Sequence, residues 1–210
     1  MTKSWRSLRT RIIGVSVALL AIMVVSGQQA YAATHVVKDH KYDTYASTNP
    51  DATRLVRTNS ATDDIISVRT THGAKAVNVV IKTRKLPRSD NMAEVEFLTS
   101  AAHHARFALL VVRGEGYKAV ELINESDPSG DVSCRKLRVR FDVAHAAVRV
   151  HVPRSCLGGP RWVRTGVMLM DTDSDGNGNI ALDVAGKTVL TGKWLNHSAH
   201  LPLSPKVHVG

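Results

Sequence analysis

The sequence predicts an all-β protein that folds as a single antiparallel β-sandwich, of the jelly-roll or immunoglobulin-like kind. Segments rich in Val, Ile and Thr, with apolar residues at every second position, recur about every ten residues from Asp63 onward, and Gly and Pro separate them. No stretch in this region repeats its apolar residues at the helical spacing of about 3.6. Antiparallel strands of this length each bury one face and pack as two sheets, which gives a sandwich.

The first 32 residues have the layout of a secretory signal peptide. Four basic residues within the first eleven precede an apolar run from Ile12 to Val25, and Ala30-Tyr31-Ala32 supplies small residues for cleavage. The run is shorter than the roughly 20 residues that cross a bilayer. We therefore expect cleavage after Ala32, a secreted or extracellular protein, and no membrane span after cleavage. Net charge then falls from +10 to +6, because the removed segment carries four positive charges and no negative ones.

Residues 33–62 are expected to form a polar extended arm, and residues 63–210 the β-sandwich domain. The stretch "STNPDATRLVRTNSATDD" has neither helical nor strand periodicity, whereas the pattern becomes β-like immediately after it. The strands are expected at 65–71, 74–83, 93–100, 107–113, 117–123, 137–141, 148–152 and 161–170.

A hairpin with a disulfide at its open end is predicted between residues 134 and 156. Two period-two strands flank a turn centred near residues 144 to 145, and Cys134 and Cys156 lie at equal distances from that centre. Pairing of the strands therefore brings the two cysteines opposite each other, at a separation that suits disulfide geometry. An exported chain is oxidised, so we expect a structural disulfide rather than two free or metal-binding thiols.

The stretch "VPRSCLGGPRWVRTGV" (152–167) resembles a group of uncharacterised secreted actinobacterial proteins with a VPRSCLG-x-PxWVRV signature. "DDIISVRTTH" (63–72) and "LPLSPKVHVG" (201–210) fit the same group, and Thr165 stands where the group usually has Val. The resemblance implies a secreted β-sandwich with a disulfide. It implies no activity, because none is established for the group.

The run "DTDSDGNGN" (171–179) is the most specific indication of a ligand, because alternating Asp followed by Gly can wrap oxygen atoms around calcium. Neither EF-hand register is complete, since position 12 falls on Leu182 or Val184. Two interpretations stay open: a calcium loop closed by a further carboxylate, or a polar turn. Calcium is the one cofactor expected, and its candidate ligands are Asp171, Asp173, Asp175, Asn177 and Asp183.

The hairpin with the predicted disulfide, which we call the stapled hairpin, also presents a basic face that is expected to attract polyanions. Anionic cell-envelope polymers are the expected partners, and nucleic acid is not, because no aromatic residues alternate with the basic ones. The alternative is a solvated face whose charges discourage sheet-to-sheet aggregation. The candidate residues are Lys136, Arg138, Arg140, Arg149 and His151.

No catalytic motif is visible, so the expected function is a non-catalytic extracellular or cell-envelope binding or structural module. The sequence contains no HExxH, no Cys/His cluster and no G-x-S-x-G. The alternative is a secreted hydrolase that acts on cell-wall or extracellular polysaccharide. Its carboxylates would meet only in the fold, and the candidates are Asp171 and Asp173 with Glu94 or Glu96.

Overall fold

The computed structural model describes residues 32–47, 55–88, 90–127, 129–171, 180–186 and 200–210. Within these ranges the chain is all-β, as predicted, and forms two antiparallel sheets. The five-stranded sheet has the order β1 (Ala33–Lys38), β4 (Ile65–His72), β5 (Ala76–Thr83), β10 (Ala147–Pro153) and β9 (Arg138–Asp142). The larger sheet has the order β3 (Val56–Arg57), β2 (Tyr45–Ser47), β12 (Ile180–Val184), β11 (Trp162–Asp171), β6 (Asn91–Thr99), β7 (Arg106–Gly114) and β8 (Tyr117–Asn124), and β13 (Val207–His208) also pairs with β11. Short 3-10 turns lie at Ala102–His104, Val143–His145 and Arg154–Leu157.

The core lies between the two sheets, as expected of a sandwich. Val77, Val79 and Ile81 of β5 are fully buried, and so are Val95 and Phe97 of β6 in the other sheet. Residues of both sheets belong to one cluster of buried apolar side chains. The period-two pattern of the sequence therefore records which side chains enter this core.

The stapled hairpin is confirmed. In β9 and β10, Ala147 pairs with Asp142, so the turn is centred between residues 144 and 145. Cys134 and Cys156 form a disulfide with a Cα–Cα distance of 5.7 Å. The bond lies just beyond the open end of the hairpin, where the strand periodicity had indicated it.

The structure differs from the expected arm over residues 33–62. All six residues of β1 pair with β4 at the edge of the five-stranded sheet, while β2 and β3 extend the larger sheet. The linking segment is buried at Asp43 and Thr44. Short edge strands bury little apolar surface and therefore show weak hydrophobic periodicity, which is why the sequence pattern did not reveal them.

The outer face of the larger sheet is covered by the C-terminal segment. The backbone N–H of Ser204 donates to the carbonyl of Thr165 at 2.8 Å, so this segment continues beside β11. Leu201 joins a second apolar cluster with Met168 and Leu182 on that outer face. On the five-stranded sheet, outward side chains such as Arg69, Lys82 and Arg149 are exposed. Within the described ranges, no helix has the length and apolar character needed to cross a membrane.

Candidate functional site

The outward face of the five-stranded sheet collects basic side chains from all five of its strands. Strand register places Arg69, Arg149 and Arg140 in one row across the sheet, and Lys38 and Lys82 in the next. These side chains are exposed. We define the cationic face as Lys38, Arg69, Lys82, Arg138, Arg140, Arg149 and His151.

Like charges are neighbours on the cationic face. Arg140 pairs directly with Arg149, and like charges at opposed positions of a sheet are destabilising. Asp142 accepts a hydrogen bond from Nε of Arg149 at 3.2 Å and another from Nδ1 of His145 at 2.8 Å. The bond with His145 is the main cause that lowers the pKa of Asp142. In the described part of the chain, no carboxylate forms an ion pair with the other arginines or the lysines of the face.

Four of the five predicted polyanion-binding residues lie on this face, namely Arg138, Arg140, Arg149 and His151. Lys136 is the exception, because β9 begins at Arg138 and Lys136 is in the exposed turn before it. The sequence analysis missed Lys38, Arg69 and Lys82. Their alternation marks them as outward-facing, but only the strand order shows that they join the hairpin on one surface.

A group of buried carboxylates lies at one end of the sandwich, and we call it the acidic centre: Asp43, Asp64 and Asp183. Asp43 precedes β2, Asp64 precedes β4, and Asp183 is on β12, so both sheets contribute. All three residues are 0% exposed. One carboxylate oxygen from each can be chosen so that all lie within 4.8 Å of one another.

Hydrogen bonds fix two of these three carboxylates. Asp183 accepts through Oδ2 from the N–H of Ile65 at 2.7 Å, and through Oδ1 from the N–H of the next residue, also at 2.7 Å. Asp64 accepts through Oδ2 from the N–H of Tyr42 at 3.0 Å and from Nη1 of Arg84 at 2.9 Å. The bond from Ile65 joins the five-stranded sheet to β12 of the larger sheet.

The ionised forms of Asp43 and Asp183 are disfavoured in the fold. Burial is the main cause that raises the pKa of Asp43, and it raises the pKa of Asp183 to about 8. Asp39 adjoins the acidic centre, and its charge repels those of Asp43 and Asp183. Burial raises the pKa of Asp39 to about 6, although its Oδ1 accepts hydrogen bonds from the N–H groups of Gly186 and His40, each at 2.9 Å.

The predicted calcium ligands divide between two places and a segment outside the described residues. Asp183 belongs to the acidic centre, with Asp43 and Asp64, neither of which the sequence analysis had selected. Asp171 is buried and is not part of that group. The remaining predicted ligands, Asp173, Asp175 and Asn177, lie outside the described residues.

Asp171 lies instead near Asp63 and Arg113, two charged groups outside the acidic centre. Burial raises the pKa of Asp63 to about 8, and the negative charge of Asp171 adds to this effect. The guanidinium of Arg113 opposes it. This arginine donates to the side chain of Asn91, which pairs with Asp171 across β6 and β11.

The carboxylates of the hydrolase alternative lie on opposite faces of the larger sheet. Asp171 is on the inner face with Leu169, whereas Glu94 and Glu96 alternate with the buried Val95 and point outward. The expected pairing of Asp171 with Glu94 or Glu96 is therefore wrong. Asp173, the other predicted member, lies outside the described residues.

Glu96 is 3% exposed and is held from two sides. It accepts from Nη1 of Arg106 at 2.5 Å and from the N–H of Leu201 at 3.0 Å. Burial, followed by repulsion from Glu96 and Glu125, raises the pKa of Glu94 to about 7. The C-terminal segment thus covers Glu96, the carboxylate next to Glu94 on the outer face of β6.

Comparison with known proteins gives no match for this chain among protein-family models, curated protein sequences or solved structures. The resemblance to secreted actinobacterial proteins therefore stays a prediction from the sequence.

Proposed function

We propose that this protein is a non-catalytic extracellular or cell-envelope binding module whose cationic face binds an anionic polymer with phosphate groups in its repeat. The observation on which the proposal rests is the concentration of exposed basic side chains on one sheet face, where Asp142, paired with Arg149, is the single described carboxylate.

The shape of the face fits an extended polymer. Five strands at a spacing of about 4.8 Å make a surface about 19 Å wide, and basic residues occur on every strand. A polymer that crosses the strands meets Arg69, Arg149 and Arg140 in one row. Guanidinium groups bind phosphate with two parallel hydrogen bonds, and neutralisation of several phosphates releases counterions.

Two features support an extracellular location. The disulfide between Cys134 and Cys156 is a bond that persists in oxidising compartments. Strand β1 begins at Ala33, immediately after the predicted cleavage site. Export itself is part of the proposal, because residues 1–31 lie outside the described residues.

The hydrolase alternative draws no support from the described carboxylates. Glu94 has a pKa near neutrality, as a general acid needs, but its neighbour Glu96 is buried beneath Leu201 and paired with Arg106. A polysaccharide therefore has no access to both groups in this conformation. The cationic face, in contrast, is open to solvent.

The test is direct binding of polyglycerol phosphate, measured by calorimetry at 50 and 200 mM NaCl. The variant Arg69→Gln/Arg140→Gln/Arg149→Gln removes the central row of the face. At about 1 kcal/mol for each basic residue near an anionic surface, we expect the affinity at 50 mM NaCl to fall about tenfold to a hundredfold. The salt dependence should weaken in the same variant, because fewer counterions are released.

The matched control is Lys41→Gln/Arg88→Gln/Arg161→Gln, which removes the same net charge from exposed positions outside the five strands of the face. We expect the control to keep most of the wild-type affinity. Equal losses in the two triple variants would reduce the effect to net charge alone and refute the proposal. Poly-glutamate serves as the second probe: tighter binding of this carboxylate polymer than of the phosphate polymer would overturn the choice of phosphate.

A further inference from the structure

We infer that Asp43, Asp64 and Asp183 bind a calcium ion that links the two sheets at one end of the sandwich. The inference does not depend on polymer binding, since none of these residues belongs to the cationic face. It also places the ion outside the "DTDSDGNGN" run, with Asp183 as the one residue shared with the ligand set predicted from the sequence.

The spacing of the three carboxylates suits calcium. Calcium binds six to eight oxygen atoms at about 2.3–2.6 Å, so two ligands of one ion stand at most about 5 Å apart. One oxygen from each of Asp43, Asp64 and Asp183 meets that limit, since the three lie within 4.8 Å of one another. A set of ligands made only of carboxylates, with no nitrogen or sulfur ligand among them, is typical of a site for a hard cation.

Unpaired oxygens in the acidic centre are the second, independent observation. Both carboxylate oxygens of Asp43 and Oδ1 of Asp64 are buried and have no hydrogen-bond partner among the described residues. Asp43 is 0% exposed, and its carboxylate reaches the other two. A buried carboxylate without a hydrogen-bond partner is costly, and a bound ion is one of the ordinary ways in which proteins compensate it.

Among the described residues, a single cationic side chain forms an ion pair with the acidic centre. Arg84 forms an ion pair with Asp64 at 2.9 Å, and Arg57 attracts Asp43 without a direct contact. Three carboxylates of the centre, with Asp39 beside them, therefore face one paired guanidinium. A divalent ion would supply the missing positive charge.

The hydrogen bonds around the centre would hold the ligands in place before the ion binds. Each oxygen of Asp183 accepts one N–H group and keeps a second lone pair. Oδ2 of Asp64 accepts two N–H groups, so its unpaired Oδ1 is the oxygen that would bind the ion. Since β12 belongs to the larger sheet and Asp64 directly precedes β4 of the five-stranded sheet, the ion would bridge the sheets. It would also fix the connection from β1 to β2 through Asp43.

The experiment compares thermal melting of the purified full chain in chelator with melting in calcium chloride. At a hundredfold excess over the dissociation constant, we expect calcium to raise the melting temperature by about 5–10 °C, and Asp43→Asn to abolish that rise. Asparagine keeps the shape of the side chain while removing one ligand charge. Magnesium at the same concentration should act more weakly, because it requires shorter bonds and stricter octahedral geometry.

The matched control is Asp63→Asn, which changes another buried acid whose two oxygens also lack partners. The charges nearest to Asp63 are those of Asp171 and Arg113, so this variant should keep the calcium response. A wild-type protein that ignores calcium, or an Asp43→Asn variant that keeps the full rise, would overturn the inference. So would loss of the response in Asp173→Ala together with its retention in Asp43→Asn, because that result places the ion in the 171–179 run.

A calorimetric titration of the chelator-treated wild type covers the case in which Asp43→Asn fails to fold. We expect one calcium ion to bind per chain. Terbium should compete for the same site, and bound terbium should give tyrosine-sensitised emission, since Tyr45 is two residues from Asp43. Absence of calcium binding to the folded wild type would refute the site without reference to any variant.

Discussion

Glu94 provides the sharpest stability prediction, because its surroundings oppose its charge. It lies on the outer face of β6, between Met168 of β11 and Leu110 of β7. Burial raises its pKa from 4.5 to about 7, and repulsion from Glu96 and Glu125 adds to the rise. The substitution Glu94→Gln keeps the shape and removes the charge, so it should stabilise the protein only where Glu94 is ionised.

The sign and size follow from proton linkage. Because the folded pKa is the higher one, the folded state binds this proton more tightly than the unfolded chain. The stability that Glu94 contributes is therefore fully present below about pH 4.5 and is lost as the pH rises to about 7. The shift corresponds to at most about 3.4 kcal/mol. Partial exposure of Glu94 and solvent screening reduce this, and we expect a gain of about 1–2 kcal/mol for Glu94→Gln at pH 8.

The assay is urea denaturation of wild type and variant at pH 5, 6, 7 and 8, followed by tryptophan fluorescence. The difference between the two proteins isolates Glu94, since the other buried acids titrate in both. The free-energy difference should grow from about a quarter of its full value at pH 5 to the full value at pH 8. Glu121→Gln, at an exposed position of β8, should show no such trend. A difference that does not change with pH, or a variant less stable than wild type at pH 8, would refute the reasoning.

Two further predictions concern covalent and steric constraints. Replacement of Cys134 and Cys156 by Ser opens a loop with a sequence separation of 22. The free energy of unfolding should therefore fall by about 3 kcal/mol and the melting temperature by about 6–12 °C. A loss of stability below about 1 kcal/mol would contradict the loop-entropy argument. Gly166→Ala should lower the free energy of unfolding, measured by urea denaturation, by about 1–3 kcal/mol, because its new Cβ would stand 2.5 Å from Cβ of Leu201. The control Gly73→Ala meets only ordinary van der Waals contacts and should be near neutral. Equal losses of stability in the two variants would contradict the steric explanation.

The β-sandwich and its disulfide could be predicted because their signals are local. Alternation between Val77 and Ile81 shows a buried face in any five-residue window, and the two cysteines are symmetric about one turn. The edge strand β1 could not be predicted in the same way. Its pairing with β4 supplies backbone hydrogen bonds, but its side chains are half-buried or exposed, so the sequence around Val36 retains little periodicity.

The candidate sites show the same limit more strongly. Arg138 and Arg149 were predicted to share a face because a single hairpin joins them, whereas Arg69 reaches that face through a strand order that no local pattern encodes. Asp43 and Asp183 are 140 residues apart in the chain, and neither alternates with other acids in a recognisable motif. A run such as "DTDSDGNGN" attracts notice because three acids fall within five residues, while a site assembled by topology has no such local signal.

The two groups of buried acids differ in the number of carboxylates that stand near each arginine. Asp63 and Asp64 are consecutive, yet they turn to different neighbours. Asp63 stands near Arg113, whose guanidinium offsets part of the repulsion from Asp171. Asp64 instead joins Asp43 and Asp183, where Arg84 pairs with a single carboxylate. Among the described residues, one arginine thus stands near two acids in the first group, whereas in the acidic centre one arginine serves three carboxylates with Asp39 beside them. Such an excess of carboxylates is the electrostatic condition under which a bound divalent ion stabilises a fold.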